Sequence, residues 1–398
     1  MPEPRRQLPP EIKRVELAQR AGGRPIIRYQ LTVDVGAVEG KRKQYRKRFA
    51  TEKDARAALE EIRGEVPRGT YLHPAKTTLA QACEDWLASK HGLKPSTLHG
   101  HRVTLEAVTS VLGDIEVQKL TKRDVDDLVA ALRAGGAQTK RGAVMRAWSP
   151  RSVNYMLGLL TAVLRDQVRQ GRVVRNVAEL VDRIPSDPKP PNTLTAAELQ
   201  KLLAHIADDR YGIAWQLALS GLRRGEVAGL RWADVDLEAR TLTVAHTRLR
   251  FGKNLVEDTP KSAASRRTLP LPDHLVAALK VARRIQAADR LALGEAYQAS
   301  GYVVVNEAGE PLSPHALTSR WARTLEAAGV RHVRLHDARH TCGTLMHLES
   351  VPVALISAWL GHASKAFTLQ TYVHSQPDAL AVAAHSFGRF TTHQSIGP

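Results

Sequence analysis

Apolar residues recur along the chain with two different periods, and the changes of period mark its organisation. Residues 26–35 (IIRYQLTVDV) alternate as a strand does, Gly36 and Gly40 bracket a turn, and 41–49 (KRKQYRKRF) read as a second, very basic strand. Thr51 then caps an expected helix over about 52–65, with Ala and Leu at helical spacing. Two or three strands packed on one helix make a small domain over residues 1–73. From Thr78 to about Ile184 the period is helical, with helices expected at 79–90, 96–112, 121–134 and 150–170. Thr78, Ser96, Thr121 and Ser149 are their caps, and Pro150 stands at a first helical position. This is a bundle of four or five helices, residues 74–184. Residues 185–192 (PSDPKPPN) hold four prolines, which no helix or central strand accommodates, so they read as an extended linker. A third domain, 193–390, opens with a helix near 196–208. It is mostly helical apart from a β insertion: a strand at 241–247, a turn near Gly252-Lys253-Asn254 and a strand at 267–271. A polar tail, 391–398, follows. The fold class is therefore multidomain and mainly α with small β elements.

Composition narrows the partners. The formal net charge is +18, a balance that favours a polyanion. Residues 1–73 hold 17 Lys and Arg against 10 Asp and Glu, so charge per residue there is nearly three times that of the remainder. A basic strand face of that kind suits a major groove, and Arg28, Lys41, Arg42, Lys43, Arg46 and Arg48 are its candidate DNA contacts. No apolar run reaches the roughly 18 residues of a membrane span, and no secretory pattern follows the opening residues. Two cysteines, Cys83 and Cys342, are too few for a disulfide framework or a zinc cluster and read as core thiols of a reducing cytoplasm.

Four short segments carry candidate chemistry. Ser220-Gly221-Leu222-Arg223-Arg224-Gly225-Glu226 lies at a helix-to-helix junction, where the glycines permit a tight turn that presents an arginine inward. His336, Arg339 and His340 are spaced i, i+3, i+4 and share one helix face. Such a cationic cluster repels itself and makes sense around an anion, and the arginine fork suits phosphate. Gly361, in Leu360-Gly361-His362, ends a helix over about 351–360, and Tyr372 follows ten residues after His362. His336 and His340 have zinc-like i, i+4 spacing, but no third ligand is placed by spacing, so neither metal nor cofactor is implied.

Together these segments resemble the catalytic domain of the tyrosine recombinases, the phage-integrase family. The family order is an arginine in a T/S-G-x-R-x-x-E context, a β-hairpin lysine, an H-x-x-R helix, an L-G-H turn and a tyrosine nine or ten residues later. Arg223, Lys261, His336, Arg339, His362 and Tyr372 occupy it, with Ser220 where Thr is common and Ala338 where Leu is common. The resemblance implies that Tyr372 attacks the scissile phosphorus, leaving a 3′-phosphotyrosine and a free 5′ hydroxyl. Arg223, Arg339 and His362 would bind the phosphate, His336 accept the tyrosine proton and Lys261 protonate the leaving oxygen. Lys253 is the alternative to Lys261 and Arg224 the alternative to Arg223, the family register favouring Lys261 and Arg223. Glu226 would hold Arg223 or cap the next helix, Asp337 orient a neighbouring base, and His340 lie behind Arg339. The order of the chain is similar to lambda-like integrases: a three-stranded arm-DNA-binding domain, a helical core-binding domain, then the catalytic domain. That implies a site-specific recombinase integrating and excising a phage or mobile element. It would act as a homotetramer on synapsed attachment sites, with a DNA-bending host factor and an excisionase as further partners. A relaxing topoisomerase, a telomere resolvase or a chromosome-dimer recombinase would share the chemistry. A non-catalytic DNA-binding protein would need none of it.

Overall fold

The computed structural model describes residues 7–21, 24–38, 41–65, 75–136, 138, 142–186, 191–252, 254–258 and 266–362. The chain divides into two compact units, Met1–Asp187 and Pro188–Pro398.

The first unit begins with an antiparallel sheet in the order β1 (Ile12–Ala21), β2 (Arg24–Val38), β3 (Lys41–Phe49), followed by helix α1 (Glu52–Glu65). Side chains alternate across the sheet. Ile12 and Leu31 are buried with Ala55, Leu59 and Ile62 of α1, and Tyr29, Val33, Tyr45 and Phe49 pack against that core. The register pairs Gln30 with Arg48 and Thr32 with Arg46. Arg28, Arg46 and Arg48 therefore lie on the face away from α1, Arg28 half-buried and the other two exposed. The backbone of Lys41, Arg42 and Lys43 belongs to β3, but their side chains lie outside the description. Strand β1 has no clear apolar alternation and forms because β2 offers it an edge from Ile12↔Leu31 to Ala21↔Arg24.

Four helices with their own core come next: α2 (Leu79–Ala88), α3 (Pro95–Leu112), α4 (Lys122–Ala134) and α5 (Pro150–Arg169), closed by a 3-10 turn at Val177–Leu180. Thr78, Thr121 and Ser149 cap their helices as expected, Thr78 and Thr121 in full capping boxes. Ser96 does not cap α3. The helix starts one residue earlier, with Lys94 at its N-cap and Pro95 preset for the first turn.

The second unit holds α6 (Ala196–His205), α7 (Gly212–Leu219), α8 (Arg224–Gly229), β4 (Val235–Asp236), β5 (Thr241–Val244), β6 (Thr247–Phe251), β7 (Asn254–Asp258), β8 (Arg267–Pro270), α9 (Asp273–Leu293), α10 (Pro314–Ala327), α11 (Leu335–Leu348) and α12 (Val353–Leu360). Trp215 and Trp321, ring centroids 5.5 Å apart, anchor its core. The β insertion is two sheets rather than one hairpin. β4, β5 and β8 pair in one, and β6 pairs with β7 in another. The expected strand 241–247 therefore breaks at Ala245-His246, where the chain leaves one partner strand for the other. The segment entering this unit is stitched to α11. The Leu194 amide donates to Thr341 Oγ1 (3.0 Å), and that hydroxyl donates to the Asp337 carbonyl (3.0 Å).

Candidate active site

Two glycine turns bring three distant segments together. Gly221 follows α7 with φ +97°, a conformation that L side chains rarely adopt. A Cβ there would stand 2.7 Å from Leu360 Cδ2, so the glycine also lets α12 approach. Gly361 ends α12 in the left-handed region (φ 62°, ψ 50°), and the His362 amide is fixed by donating to the Ser357 carbonyl (3.0 Å). Trp359 Nε1 donates to the Ser220 carbonyl (2.8 Å), tying one turn to the other.

The arginines are held across this junction. Arg339, on α11 and 2% exposed, donates from Nη1 to the Gly221 carbonyl (2.5 Å) and from Nη2 to the Leu360 carbonyl. Arg223 is the N-cap of α8. Its Nη1 donates to Glu226 Oε1 (2.7 Å) and its Nη2 to the Gly361 carbonyl (2.6 Å). Its side chain remains 34% exposed. Arg224 turns elsewhere and donates to Thr318 Oγ1 (2.9 Å), so of the two candidates Arg223 is the one that meets Arg339's turn.

Glu226 does both things the sequence allowed it. It holds the Arg223 side chain, and it caps α8 by accepting the Arg223 backbone N–H (2.9 Å). Burial alone would raise its pKa, but Arg267 first and Arg223 after it more than offset this and hold the carboxyl below its ordinary value. Asp337 is buried and takes two hydrogen bonds from Arg334 (2.8 Å each), so its charge serves the start of α11.

His336 and His340 meet edge-to-face, ring centroids 5.0 Å apart. His336 keeps an exposed edge, while His340 and His362 are half-buried. All three have lowered pKa values, in each case from desolvation first. Arg339 is the next cause for His336 and for His362, which falls to about 3. The next cause for His340, which falls to about 4, is His336. At neutral pH the three imidazoles are therefore uncharged, able both to accept and to donate a proton.

Arg267 was not singled out in the sequence. It is 7% exposed and joins the site from β8, donating to both oxygens of Glu226 (3.3 and 3.1 Å) and from Nε to the Trp359 carbonyl (2.6 Å). The signal was its phase: with a period of two it falls in line with Leu269 and Leu271, both buried. Lys261, Lys253 and Tyr372 lie outside the described residues. A groove of 1270 Å³ lined by Trp232, Thr241, Arg283 and neighbours includes none of these side chains.

The segments that build this junction lie within a range that matches a known family. The phage integrase family model covers residues 192–378, and a model for an arm DNA-binding domain covers 22–66. The chain carries a phage integrase domain. Among relatives, a XerC-like tyrosine recombinase of Caldanaerobacter subterraneus is 26% identical over 88% of this chain and 93% of its own length. The fold of the chain is shared with solved structures. The Tn1549 transposon integrase in complex with a circular intermediate DNA superposes with a TM-score of 0.63, at 19% identity, over 78% of this chain and 99% of that one. The lambda integrase tetramer bound to a Holliday junction does so with 0.56, at 16% identity, over 93% and 96%.

Proposed function

We propose that this chain is a site-specific DNA recombinase that integrates and excises a mobile element by cutting and rejoining DNA through a phosphotyrosine at Tyr372. The observation that carries the reading is the convergence of Arg223, Arg339, His336 and His362 at one glycine-turn junction, in family order, with Tyr372 ten residues beyond His362. The Tyr372 hydroxyl forms a bond to phosphorus as the P–O5′ bond breaks. His336, neutral because desolvation and Arg339 lower its pKa, accepts the phenol proton. Lys261 delivers a proton to the 5′ oxygen. Arg223 and Arg339 hold the non-bridging oxygens as negative charge grows. By analogy with arginine fingers each contributes about 4–7 kcal/mol. His362 donates to the same phosphate. The energy of the ester is retained in the covalent adduct, so a 5′ hydroxyl from another strand reverses the reaction without a cofactor.

The domain roles belong to the same proposal. Residues 1–73 bind arm-type sites through the face carrying Arg28, Arg46 and Arg48, residues 74–184 bind the core site, 185–192 link, and 193–390 perform the chemistry. The working form is a homotetramer on synapsed DNA in the cytoplasm of a bacterial host, with a DNA-bending protein and an excisionase as accessory partners. Among the described residues no helix is long and apolar enough to cross a membrane.

The test is a nicked suicide duplex carrying the element's own attachment site. Wild-type protein should be trapped covalently, and peptide mapping should place the adduct on Tyr372. Tyr372→Phe should bind the duplex and give no adduct. An adduct at wild-type level in that variant would remove Tyr372 as nucleophile.

A further inference from the structure

Behind Arg223 lies a charge arrangement that phosphate binding by Arg223 does not by itself explain. Glu226, its side chain 4% exposed, is shared between two guanidiniums. Arg223 reaches it at 2.7 Å and Arg267 at 3.1 and 3.3 Å. Two guanidiniums thus divide one carboxylate between them. They differ in exposure. Arg267, 7% exposed, donates to Glu226 and to the Trp359 carbonyl, whereas Arg223 remains 34% exposed, so of these two it is Arg223 that an incoming anion meets. Without Arg267 the buried carboxylate and Arg223 would form a neutral pair. A charge already satisfied by a desolvated partner has little left for a second anion, because the attraction inside a protein falls off far less than in water.

Geometry adds a second link. Arg267 Nε donates to the Trp359 carbonyl (2.6 Å), Trp359 Nε1 donates to the Ser220 carbonyl (2.8 Å), and Gly361, two residues on, accepts from Arg223 Nη2 (2.6 Å). Arg267 thus grips the carboxylate that holds Arg223 and also the helix end that carries the other half of Arg223's cradle.

We propose that Arg267 is a positioning residue for strand cleavage: it takes up the charge of Glu226 and fixes the end of α12, leaving the charge of Arg223 directed at the scissile phosphate. This rests on the reading above that Arg223 faces that phosphate. Arg267 itself does not touch the DNA.

The experiment uses the full-length protein and the suicide duplex, measuring duplex Kd and the single-turnover rate of adduct formation. It uses a normal scissile phosphate and a methylphosphonate, in which one non-bridging oxygen is replaced by methyl and the demand for positive charge falls. Arg267→Gln should bind with unchanged Kd but cleave the normal phosphate at least about tenfold more slowly, since one lost charge-assisted bond is worth about that factor. The deficit should shrink on the methylphosphonate. Adding Glu226→Gln to Arg267→Gln should recover part of the rate, because the carboxylate that captured Arg223 is gone. Arg267→Lys, which keeps the charge without the fork, should fall between wild type and Arg267→Gln. A purely structural role predicts instead an equal deficit on both substrates and no recovery in the double variant, and either result overturns the proposal, as does a folded Arg267→Gln that cleaves at the wild-type rate. Should Arg267→Gln not fold, Arg267→Lys carries the test: a deficit that the methylphosphonate narrows supports the role, and one it leaves unchanged overturns it. A wild-type protein that forms no adduct, or an Arg223→Ala variant that cleaves normally, would instead bring down the functional reading, and this proposal with it.

Discussion

Replacing Gly221 by alanine tests whether the turn, rather than the arginines alone, makes the site. Two penalties are legible in the structure. The backbone sits at φ +97°, where an L residue costs about 1–3 kcal/mol. The added methyl would lie 2.7 Å from Leu360 Cδ2 and 3.4 Å from Cys342 Sγ and Trp359 Nε1, and forcing extra volume into a packed contact costs typically about 1–3 kcal/mol more. A midpoint of about 4 kcal/mol lowers the Tm of a unit this size by roughly 8–16 °C. Gly301→Ala is the control. That glycine has φ +77° with nothing within 4 Å of the added atom, so it reports the backbone penalty alone, about 1–3 kcal/mol. Calorimetry on both variants separates the two contributions. The functional consequence goes further, because the Gly221 carbonyl accepts from Arg339 and the Ser220 carbonyl from Trp359. At a temperature where Gly221→Ala is fully folded, adduct formation should still be slowed, while Gly301→Ala cleaves normally. If the two variants melt within about 2 °C of each other the packing argument is wrong, and if folded Gly221→Ala cleaves like wild type the turn does not position Arg339.

The histidines make stability pH-dependent. His362 and His340 fall from an ordinary 6.5 to about 3 and about 4 in the folded protein, so the unfolded chain binds more protons between these values. Stability is full above the unfolded value, falls with pH through that window and is lost below the folded values, with a slope of up to about 1.4 kcal/mol per pH unit for each histidine. Urea unfolding of His340→Gln and His362→Gln should show a flatter profile between pH 4 and 6.5 than wild type, and profiles that superimpose would contradict the assignment. On the arm sheet, Arg46→Ala with Arg48→Ala removes two exposed cations from the face away from α1. The salt slope of binding to a distal arm site should fall by about 1.8 while core-site binding keeps its slope, because each lost phosphate contact removes about 0.9. An unchanged arm-site slope would mean that the face does not meet DNA.

What the sequence disclosed was local. The caps at Thr78, Thr121 and Ser149 each lie within three residues of the amide they accept from, and the glycine ending α12 acts on its own turn. These interactions need no knowledge of the rest of the chain. What it concealed depended on distant partners. Strand β1 is defined by its pairing with β2. The insertion's division into two sheets follows from β5 choosing β8, some two dozen residues on, over its neighbour β6. Arg267 looked like one more basic residue of SRRTLPL until Glu226, 41 positions earlier, stood against it.

The way the charges are fixed explains why the cluster is stable without being neutral. Carboxylates are the usual means of holding an arginine, but each one cancels the charge it holds. Arg339 is gripped by two backbone carbonyls, dipoles that set the fork's orientation and carry no net charge themselves. Arg223 is gripped half by a carbonyl and half by a carboxylate that Arg267 shares. The histidines add no charge of their own, because desolvation first, and the neighbouring cations and imidazole after it, keep them deprotonated. A phosphate entering beside them favours the imidazolium and offers an acceptor to Arg223, whose side chain remains 34% exposed. Anything that binds the folded state alone also stabilises it. The positive charge held here at the expense of the free protein's stability is thus the same charge that the bound phosphate, and the transition state that grows from it, uses.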